Sequence, residues 1–206
     1  MPNRSSVSLL IADASRIAVN KISLKPLRGS GLTLSPGFIH CGWCCSTRFT
    51  MPDLLVNLLK LPPLDPLIRE LNTQGVQIRR AQPFEITHVR LFVEENFSIA
   101  WADEVSVGFA YKPVSVYIAT RNATVIGFAG YECTRRSFFG PTGVMESERG
   151  RGIGKALLIA SLWGLRELGY VYGVIGGAGP VEFYQETVGA IVIPDSEPGI
   201  YTDLLK

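Results

Sequence analysis

The sequence has few of the residues that bind metal ions or form disulfides, with two histidines and four cysteines among 206 residues. His40 and three of the cysteines fall together in the segment 40–45, where ligands so close in sequence can hardly surround a tetrahedral metal ion. His88 and Cys133 stand apart from this segment and from each other. The sequence therefore predicts no metal site, and the scattered cysteines indicate free thiols instead of a disulfide framework.

Long apolar runs and a strong charge of either sign are also missing. No stretch is long enough to span a membrane, and the longest apolar run of the first 50 residues, residues 9–12, is too short for a secretory signal. The net charge of +2 is the sum of a net charge of +5 in residues 1–50 and a net charge of −3 in residues 51–206. We therefore expect a cytoplasmic protein that binds neither membranes nor nucleic acid.

Residues 1–50 form a leader that is rich in serine, poor in acidic residues and without a helical or alternating apolar period. This composition predicts no stable structure. Two explanations stay open, because an organelle transit peptide has the same acid-poor, Arg- and Ser-containing composition, whereas Met51 could equally be the true start. The poor foldability of the leader favours the second explanation, an extension of the gene model.

Helix and strand patterns alternate in the rest of the chain. Residues 51–75 resemble an apolar helical arm interrupted by prolines, which could pack on the domain or on a second subunit of a homodimer. Residues 77–81 predict a first strand, and residues 84–97 predict a first helix with one apolar face.

Four further strands and a long helix are indicated downstream. Residues 114–120 and 125–132 predict an antiparallel hairpin, and residues 137–144 predict the next strand. Because glycine and proline interrupt residues 137–144, the middle of that strand should be irregular or bulged. The apolar run 156–168 predicts a buried helix, and residues 170–175 predict another strand, which together indicate a mixed α/β domain.

A glycine-rich loop, defined as residues 144–155, joins the strand to the buried helix with the sequence Val-Met-Glu-Ser-Glu-Arg-Gly-Arg-Gly-Ile-Gly-Lys. The free N–H groups and the dipole of a helix start favour an anion, and glycines let a pyrophosphate approach the backbone. A P-loop is excluded, since Arg149 and Ala156 replace the required glycine and hydroxyl residue. A dinucleotide fingerprint is excluded because the third glycine comes one residue early.

Two motifs in this sequence resemble those of the GNAT acetyltransferase superfamily. Arg149, Gly152 and Gly154 match its acyl-CoA motif Arg/Gln-x-x-Gly-x-Gly/Ala, and a strand precedes them at the expected distance. The segment 183–190, Phe-Tyr-Gln-Glu-Thr-Val-Gly-Ala, resembles a second motif, Phe-Tyr-x-x-x-Gly-Phe. It has one extra residue before the glycine and alanine in place of the final aromatic residue. The resemblance covers about residues 76–206.

The resemblance implies an α/β (α+β) fold, with a central, mostly antiparallel mixed sheet, flanking helices and a wedge where the fourth and fifth strands splay apart. It also implies that acetyl-CoA lies in the wedge as co-substrate, without a metal. The residues that would bind it are Val144, Arg149, Gly150, Arg151, Gly152, Ile153, Gly154 and Lys155.

For the chemistry, the resemblance implies direct transfer of an acetyl group to a primary amine. Tyr184 matches the tyrosine that serves as general acid in many members, and the N–H of Val144 is the candidate that stabilises the oxyanion. Many relatives carry a glutamate on the fourth strand as general base. That strand has none here, so Glu132 at the end of the preceding strand becomes the candidate, with a water relay or a substrate that arrives neutral as the alternative. The region of Trp101 and Phe109 corresponds to the acceptor pocket.

Two alternatives stay open beside an N-acetyltransferase. The first is a non-catalytic acyl-CoA-binding regulatory module of the same fold, which the missing strand carboxylate favours and Tyr184 opposes. The second is an α/β domain in which the glycine-rich loop is merely a turn into a core helix.

Overall fold

The computed structural model describes residues 51–200. The predictions for the leader, residues 1–50, and for its cysteine-rich segment lie outside the described residues. Within the described part of the chain, no helix is both long enough and apolar enough to cross a membrane.

A mixed sheet of seven strands runs through residues 51–200, in the order β2-β3-β4-β5-β6-β1-β7. The strands are β1 (Leu54–Asn57), β2 (Gln77–Arg80), β3 (Val116–Arg121), β4 (Thr124–Tyr131), β5 (Phe138–Val144), β6 (Tyr172–Ile175) and β7 (Ile191–Val192). Neighbouring strands are antiparallel except β5 and β6, which run parallel. The expectation of a central, mostly antiparallel mixed sheet is confirmed.

Helices cover both faces of this sheet. The helices of the described residues are α1 (Asp65–Thr73), α2 (Ile86–Asn96), α3 (Ile99–Val107), α4 (Ile153–Glu167) and α5 (Val181–Val188). α1, α4 and α5 contribute to one core cluster, and α2 and α3 contribute to a second. Adjacent residues of β4 divide between the two clusters, Ala129 in the first and Phe128 in the second, because side chains alternate across a strand. The domain therefore has three layers, with the sheet in the middle.

The central element of the first cluster is α4, which forms where the apolar run predicted a buried helix. Its residues Leu157, Ile159 and Leu162 are completely buried. The helix ends at Glu167, and Gly169 follows the C-cap residue Leu168 with a φ angle of +95° that favours glycine. α4 therefore packs against the sheet and holds the end of the loop that leads into it.

β5 is bulged in its middle, as its glycine and proline residues predicted. Ala129 of β4 pairs with Thr142, whereas Tyr131 pairs with Phe139. Between these two pairs β5 has one residue more than β4, which is the geometry of a β-bulge.

The contact between β5 and β6 is limited to the beginning of β5. Phe138 pairs with Val174 and Phe139 pairs with Ile175, where β6 ends. From residue 140 onward, β5 continues to Val144 without β6 beside it. Counted from residue 76, β5 and β6 are the fourth and fifth strands of the domain. Their separation is the expected wedge.

The helical arm expected over residues 51–75 differs in the structure. Only α1 is helical over several turns, with Pro66 in its first turn, where proline is tolerated. Leu54–Asn57 is instead strand β1, inserted between β6 and β7. Leu54 and Val56 are fully buried and alternate with partly exposed neighbours, which is the period of a strand. Such a short apolar run cannot be assigned to helix or strand by periodicity, and long-range pairing decides its conformation.

Two glycines of α4 provide a matched test of its packing on the sheet. A Cβ at Gly164 would lie 2.6–2.8 Å from ring atoms and the hydroxyl of Tyr131, whereas a Cβ at Gly154 would meet only Val144, at 3.7 Å. We expect Gly164→Ala to lower the free energy of unfolding by about 1–3 kcal/mol, the usual effect of overpacking. Gly154→Ala should leave it unchanged or raise it, because alanine favours the helix.

Urea denaturation of both variants measures this difference. Equal stability of Gly164→Ala and the wild-type protein would contradict the close packing of α4 on Tyr131.

Candidate functional site

The glycine-rich loop carries the chain from the sheet to α4. After β5, a 3-10 turn at Glu146–Glu148 is followed by Gly150 and Gly152, with φ angles of +78° and +83°. These left-handed conformations favour glycine. An added Cβ at either glycine would meet no atom within 4 Å. The loop therefore exposes its backbone to open space, into which a ligand can approach.

The first turn of α4 has unpaired backbone donors. Gly152 is its N-cap residue and offers no side-chain acceptor, so the N–H groups of residues 153–155 have no partner inside the helix. The first turn contains no acidic residue, as the sequence indicated. The side chains of Arg149, Arg151 and Lys155 are exposed around it. The helix dipole and these three charges act in the same direction and favour an anion.

Two side-chain contacts hold the loop in place. The Nε of Arg149 donates to the carbonyl oxygen of Val144 at 3.2 Å. The carboxylate of Glu148 accepts from one nitrogen of Arg121 at 2.5 and 2.6 Å. Glu148 also lies 3.7 Å from the Nε of Arg151. The sequence motifs do not identify Arg121, because this residue reaches the loop only through the register of the β3–β4 hairpin.

The backbone of Val144 faces the wedge. The next residue, Met145, donates its N–H to the carbonyl of Ile126 at 2.9 Å, so Val144 and Gly127 form a pair without hydrogen bonds between them. The N–H and C=O of Val144 therefore point away from β4, toward the space that β6 has left. Because Arg149 binds the carbonyl, the N–H is the group that has no partner here among residues 51–200.

Tyr184 lies on α5 at the closed end of the wedge. Its ring meets Phe139, the last residue of β5 that pairs with β6, edge to face at 6.4 Å. The side chain is buried, with 7% exposed. Burial raises the pKa of Tyr184 from 10.0 to about 12, so the phenol keeps its proton at neutral pH.

Glu132 lies in the connection from β4 to β5 and is also buried. Its carboxylate accepts hydrogen bonds from the N–H of Ser137 and, at 3.3 Å, from the hydroxyl of Tyr170. Its own N–H donates to the carbonyl of Phe138 at 2.9 Å. One carboxylate oxygen thus binds within the β4–β5 connection, and the other binds Tyr170 just before β6.

The candidate residues are distributed along β5. Val144 and the glycine-rich loop meet at its end, Tyr184 lies near its beginning, and Glu132 precedes it. At about 3.3 Å per residue, β5 separates its two ends by roughly 20 Å. Neither a backbone nor a side-chain hydrogen bond within residues 51–200 joins Glu132 to Tyr184.

Aromatic residues cover β5 on the face opposite α4. A Cβ at Gly143 would collide with the ring of Phe97, so only glycine fits there. Trp101 stacks on Phe97 at 5.8 Å with 39% of its side chain exposed. Phe109, by contrast, packs against the core of α2 and α3. Of the two residues expected near an acceptor, Trp101 is the one stacked beside β5.

A large groove of the described residues lies elsewhere. It has a volume of about 1140 Å³ and runs between α2 and the β3–β4 hairpin, past His88 and Asn122 to Met145. None of the predicted site residues lines it. The groove and the wedge are therefore separate features.

The burial of Tyr184 predicts a specific pH dependence of stability. Between pH 10 and 12 the unfolded chain loses the phenolic proton while the folded chain keeps it, so stability falls as the pH rises. Tyr184→Phe should remove one such contribution and flatten the decline by up to about 1.4 kcal/mol per pH unit. Urea denaturation between pH 9 and 11.5 measures the slope, with Tyr172→Phe as the exposed control. Identical slopes for Tyr184→Phe and wild type would contradict the burial.

No protein-family model matches the sequence, and neither does any curated protein. Solved structures do match. One is the GCN5-related glucosamine N-acetyltransferase region of a fungal multi-domain GH3 beta-N-acetylglucosaminidase, with 19% identity and a TM-score of 0.57. The match covers 69% of this chain and 19% of the fungal chain. Another is a GCN5-related N-acetyltransferase from Sphaerobacter thermophilus, with 18% identity and a TM-score of 0.49, covering 70% of this chain and 49% of that one.

This chain corresponds to about a fifth of the length of the fungal enzyme. At 19% identity, the likeness to the fungal region concerns the fold. The mixed sheet and the flanking helices of this chain match that fold. The chain has the fold of the GNAT superfamily of N-acetyltransferases.

Proposed function

We propose that this chain is an acetyl-CoA-dependent N-acetyltransferase that transfers the acetyl group directly to a primary amine. One observation carries the proposal: the unpaired N–H groups at the start of α4 and the free N–H of Val144 lie along the open part of the same wedge. An anion site and a strand edge with free backbone groups are what a ligand with a pyrophosphate and an amide-containing arm requires.

The glycine-rich loop suits the pyrophosphate. Open space beside Gly150 and Gly152 leaves room for phosphate oxygens, and the N–H groups of Ile153, Gly154 and Lys155 can donate to them. The exposed side chains of Arg149, Arg151 and Lys155 add charge, and arginine can bind phosphate with two hydrogen bonds. The edge of β5 near Val144 then offers backbone groups to the pantetheine arm.

Acetyl transfer forms a C–N bond to the amine and breaks the C–S bond of the thioester, which is the chemistry that acetyl-CoA supplies. The attacking amine must be neutral, the carbonyl oxygen gains negative charge, and the departing thiolate takes up a proton. Because Val144 lies at the other end of β5 from Tyr184, in our proposal its N–H donates to the pantetheine arm and not to the thioester carbonyl. Tyr184 holds its proton at neutral pH and donates it to the thiolate sulfur.

Glu132 stays the predicted general base that keeps the amine neutral. Its two oxygens accept hydrogen bonds from the N–H of Ser137 and from the hydroxyl of Tyr170. β5 itself, with the sequence Phe-Phe-Gly-Pro-Thr-Gly-Val, has no ionisable side chain. That absence is the observation that favours the alternative function, an acyl-CoA-binding regulatory module without catalysis.

Substitutions at Gly152 test the binding of CoA. The residue has a φ angle of +83°, which asparagine tolerates better than most residues, and asparagine has the size of aspartate without its charge. We expect Gly152→Asp to lose most of its affinity for CoA, because the carboxylate faces the pyrophosphate. Gly152→Asn should keep the larger part of the affinity, so the pair separates charge from backbone strain.

Isothermal titration calorimetry with CoA provides the dissociation constants of the three proteins. Equal affinities for the aspartate variant and the wild type would show that CoA does not bind at this loop.

A second substitution tests catalysis. Tyr184→Phe keeps the ring and its contact with Phe139, so CoA affinity should barely change. Turnover at saturating acetyl-CoA should fall about a hundredfold, a typical contribution of a general acid. Unchanged turnover would leave Tyr184 as a packing residue, and reduced CoA affinity alone would make it a ligand contact.

The turnover measurement requires an acceptor, which a screen of primary amines for release of free CoA can supply. Amino sugars belong first in that screen, because the matching fungal region is described as a glucosamine N-acetyltransferase region. Small-molecule amines, peptides and proteins follow. Tight binding of CoA without any acceptor in the screen is the outcome that the regulatory module predicts.

A further inference from the structure

An ion pair that neither sequence motif includes connects the β3–β4 hairpin to the glycine-rich loop. One guanidinium nitrogen of Arg121, the last residue of β3, bridges both oxygens of Glu148 at 2.5 and 2.6 Å. Only 21% of the Arg121 side chain and 14% of the Glu148 side chain are exposed. The pair is therefore partly removed from water, where ion pairs are stronger and an unpaired charge is costly.

The position of Glu148 makes this pair relevant to ligand binding. Its carboxylate and that of Glu146 are the two negative charges in a loop whose backbone donors and basic side chains attract anions, and the carboxylate of Glu148 lies 3.7 Å from the Nε of Arg151. Left unpaired, Glu148 would repel a bound phosphate and compete with it for Arg151. Arg121 removes that conflict, because it neutralises the carboxylate from the side of the sheet.

The same contact also fixes the conformation of the loop. Glu148 ends the 3-10 turn after β5 and comes two residues before Gly150. A short ion pair to β3, a strand paired along its length with β4, ties this turn to the sheet. The Nε of Arg121 is buried and has no hydrogen-bond partner among residues 51–200, and the guanidinium binds Glu148 through one terminal nitrogen.

We infer that Arg121 is a positioning residue for the anion site: through Glu148 it holds the glycine-rich loop in shape and cancels a negative charge beside it. Arg151 is thereby left to bind phosphate. The inference deepens the proposed function and rests on it for the identity of the ligand. The ion pair itself belongs to the ligand-free protein and can be tested there.

Three variants separate the two effects of Arg121. Arg121→Gln leaves Glu148 unpaired, Glu148→Gln removes the negative charge, and the double variant removes both charges. We expect Arg121→Gln to weaken CoA binding about tenfold, since an uncompensated carboxylate then lies near the phosphates. The double variant should recover most of this loss, which a residue needed only for folding would not allow. Calorimetry with CoA measures the three affinities against wild type.

Hydrogen exchange of the ligand-free protein measures the effect on loop shape. The amides of residues 150–155 should exchange faster in Arg121→Gln and in the double variant than in wild type, because both lack the connection to β3. Arg79→Gln is the matched control. It breaks a similar ion pair, with Glu85 at 2.6 Å, away from the loop, and should change neither the exchange of these amides nor the CoA affinity.

The outcomes distinguish this inference from the proposed function. If wild type binds no CoA, the proposed function fails, and equal exchange in wild type and Arg121→Gln then overturns the inference as well. If wild type binds CoA and Arg121→Gln binds it equally well, the inference is wrong while the proposed function stands. A double variant no better than Arg121→Gln would also overturn the charge-cancelling role.

Discussion

The divided pairing of β5 is the constraint on which the rest of the domain depends. On one side β5 pairs with β4 along most of its length, and on the other it meets β6 at only two residue pairs. A strand edge inside a domain normally finds a partner, because unpaired backbone groups in an apolar surrounding are costly. Here that edge stays open. The glycine-rich loop leads from the end of β5 to the start of α4, so the backbone donors of the strand and of the helix face one space.

The charges of the loop follow from this geometry. The backbone N–H groups of a strand edge and of a helix start that face one space create a positive potential there. This potential would attract any anion, and without a bound anion it would destabilise the turn. The protein places two acidic residues, Glu146 and Glu148, in this loop and balances Glu148 with Arg121 from the neighbouring hairpin. The anion site is thus shaped in advance by an internal ion pair, which reduces the ordering that a ligand must impose.

Local signals in the sequence identified most of the fold. The apolar run of α4, the hairpin of β3 and β4 and the interrupted pattern of β5 each follow from periodicity or from glycine and proline residues, and the structure agrees. The glycine-rich loop was identified by spacing alone. What escaped prediction was long-range: strand β1, and the contact of Arg121 with Glu148. A four-residue apolar run does not specify its conformation, and no pattern within the loop indicates which distant side chain meets it.

Strand β1 has a consequence for how the domain assembles. Leu54 pairs with Ile175 on one side and with Val192 on the other, so the first strand of the described chain joins two of the last. During synthesis this strand leaves the ribosome long before either partner exists. The side chains of β1 that are buried in the folded domain remain exposed to water and to chaperones until almost the whole domain has emerged. Closing such a long loop is entropically costly, so the pairing of β1 with β6 and β7 is a late step of folding.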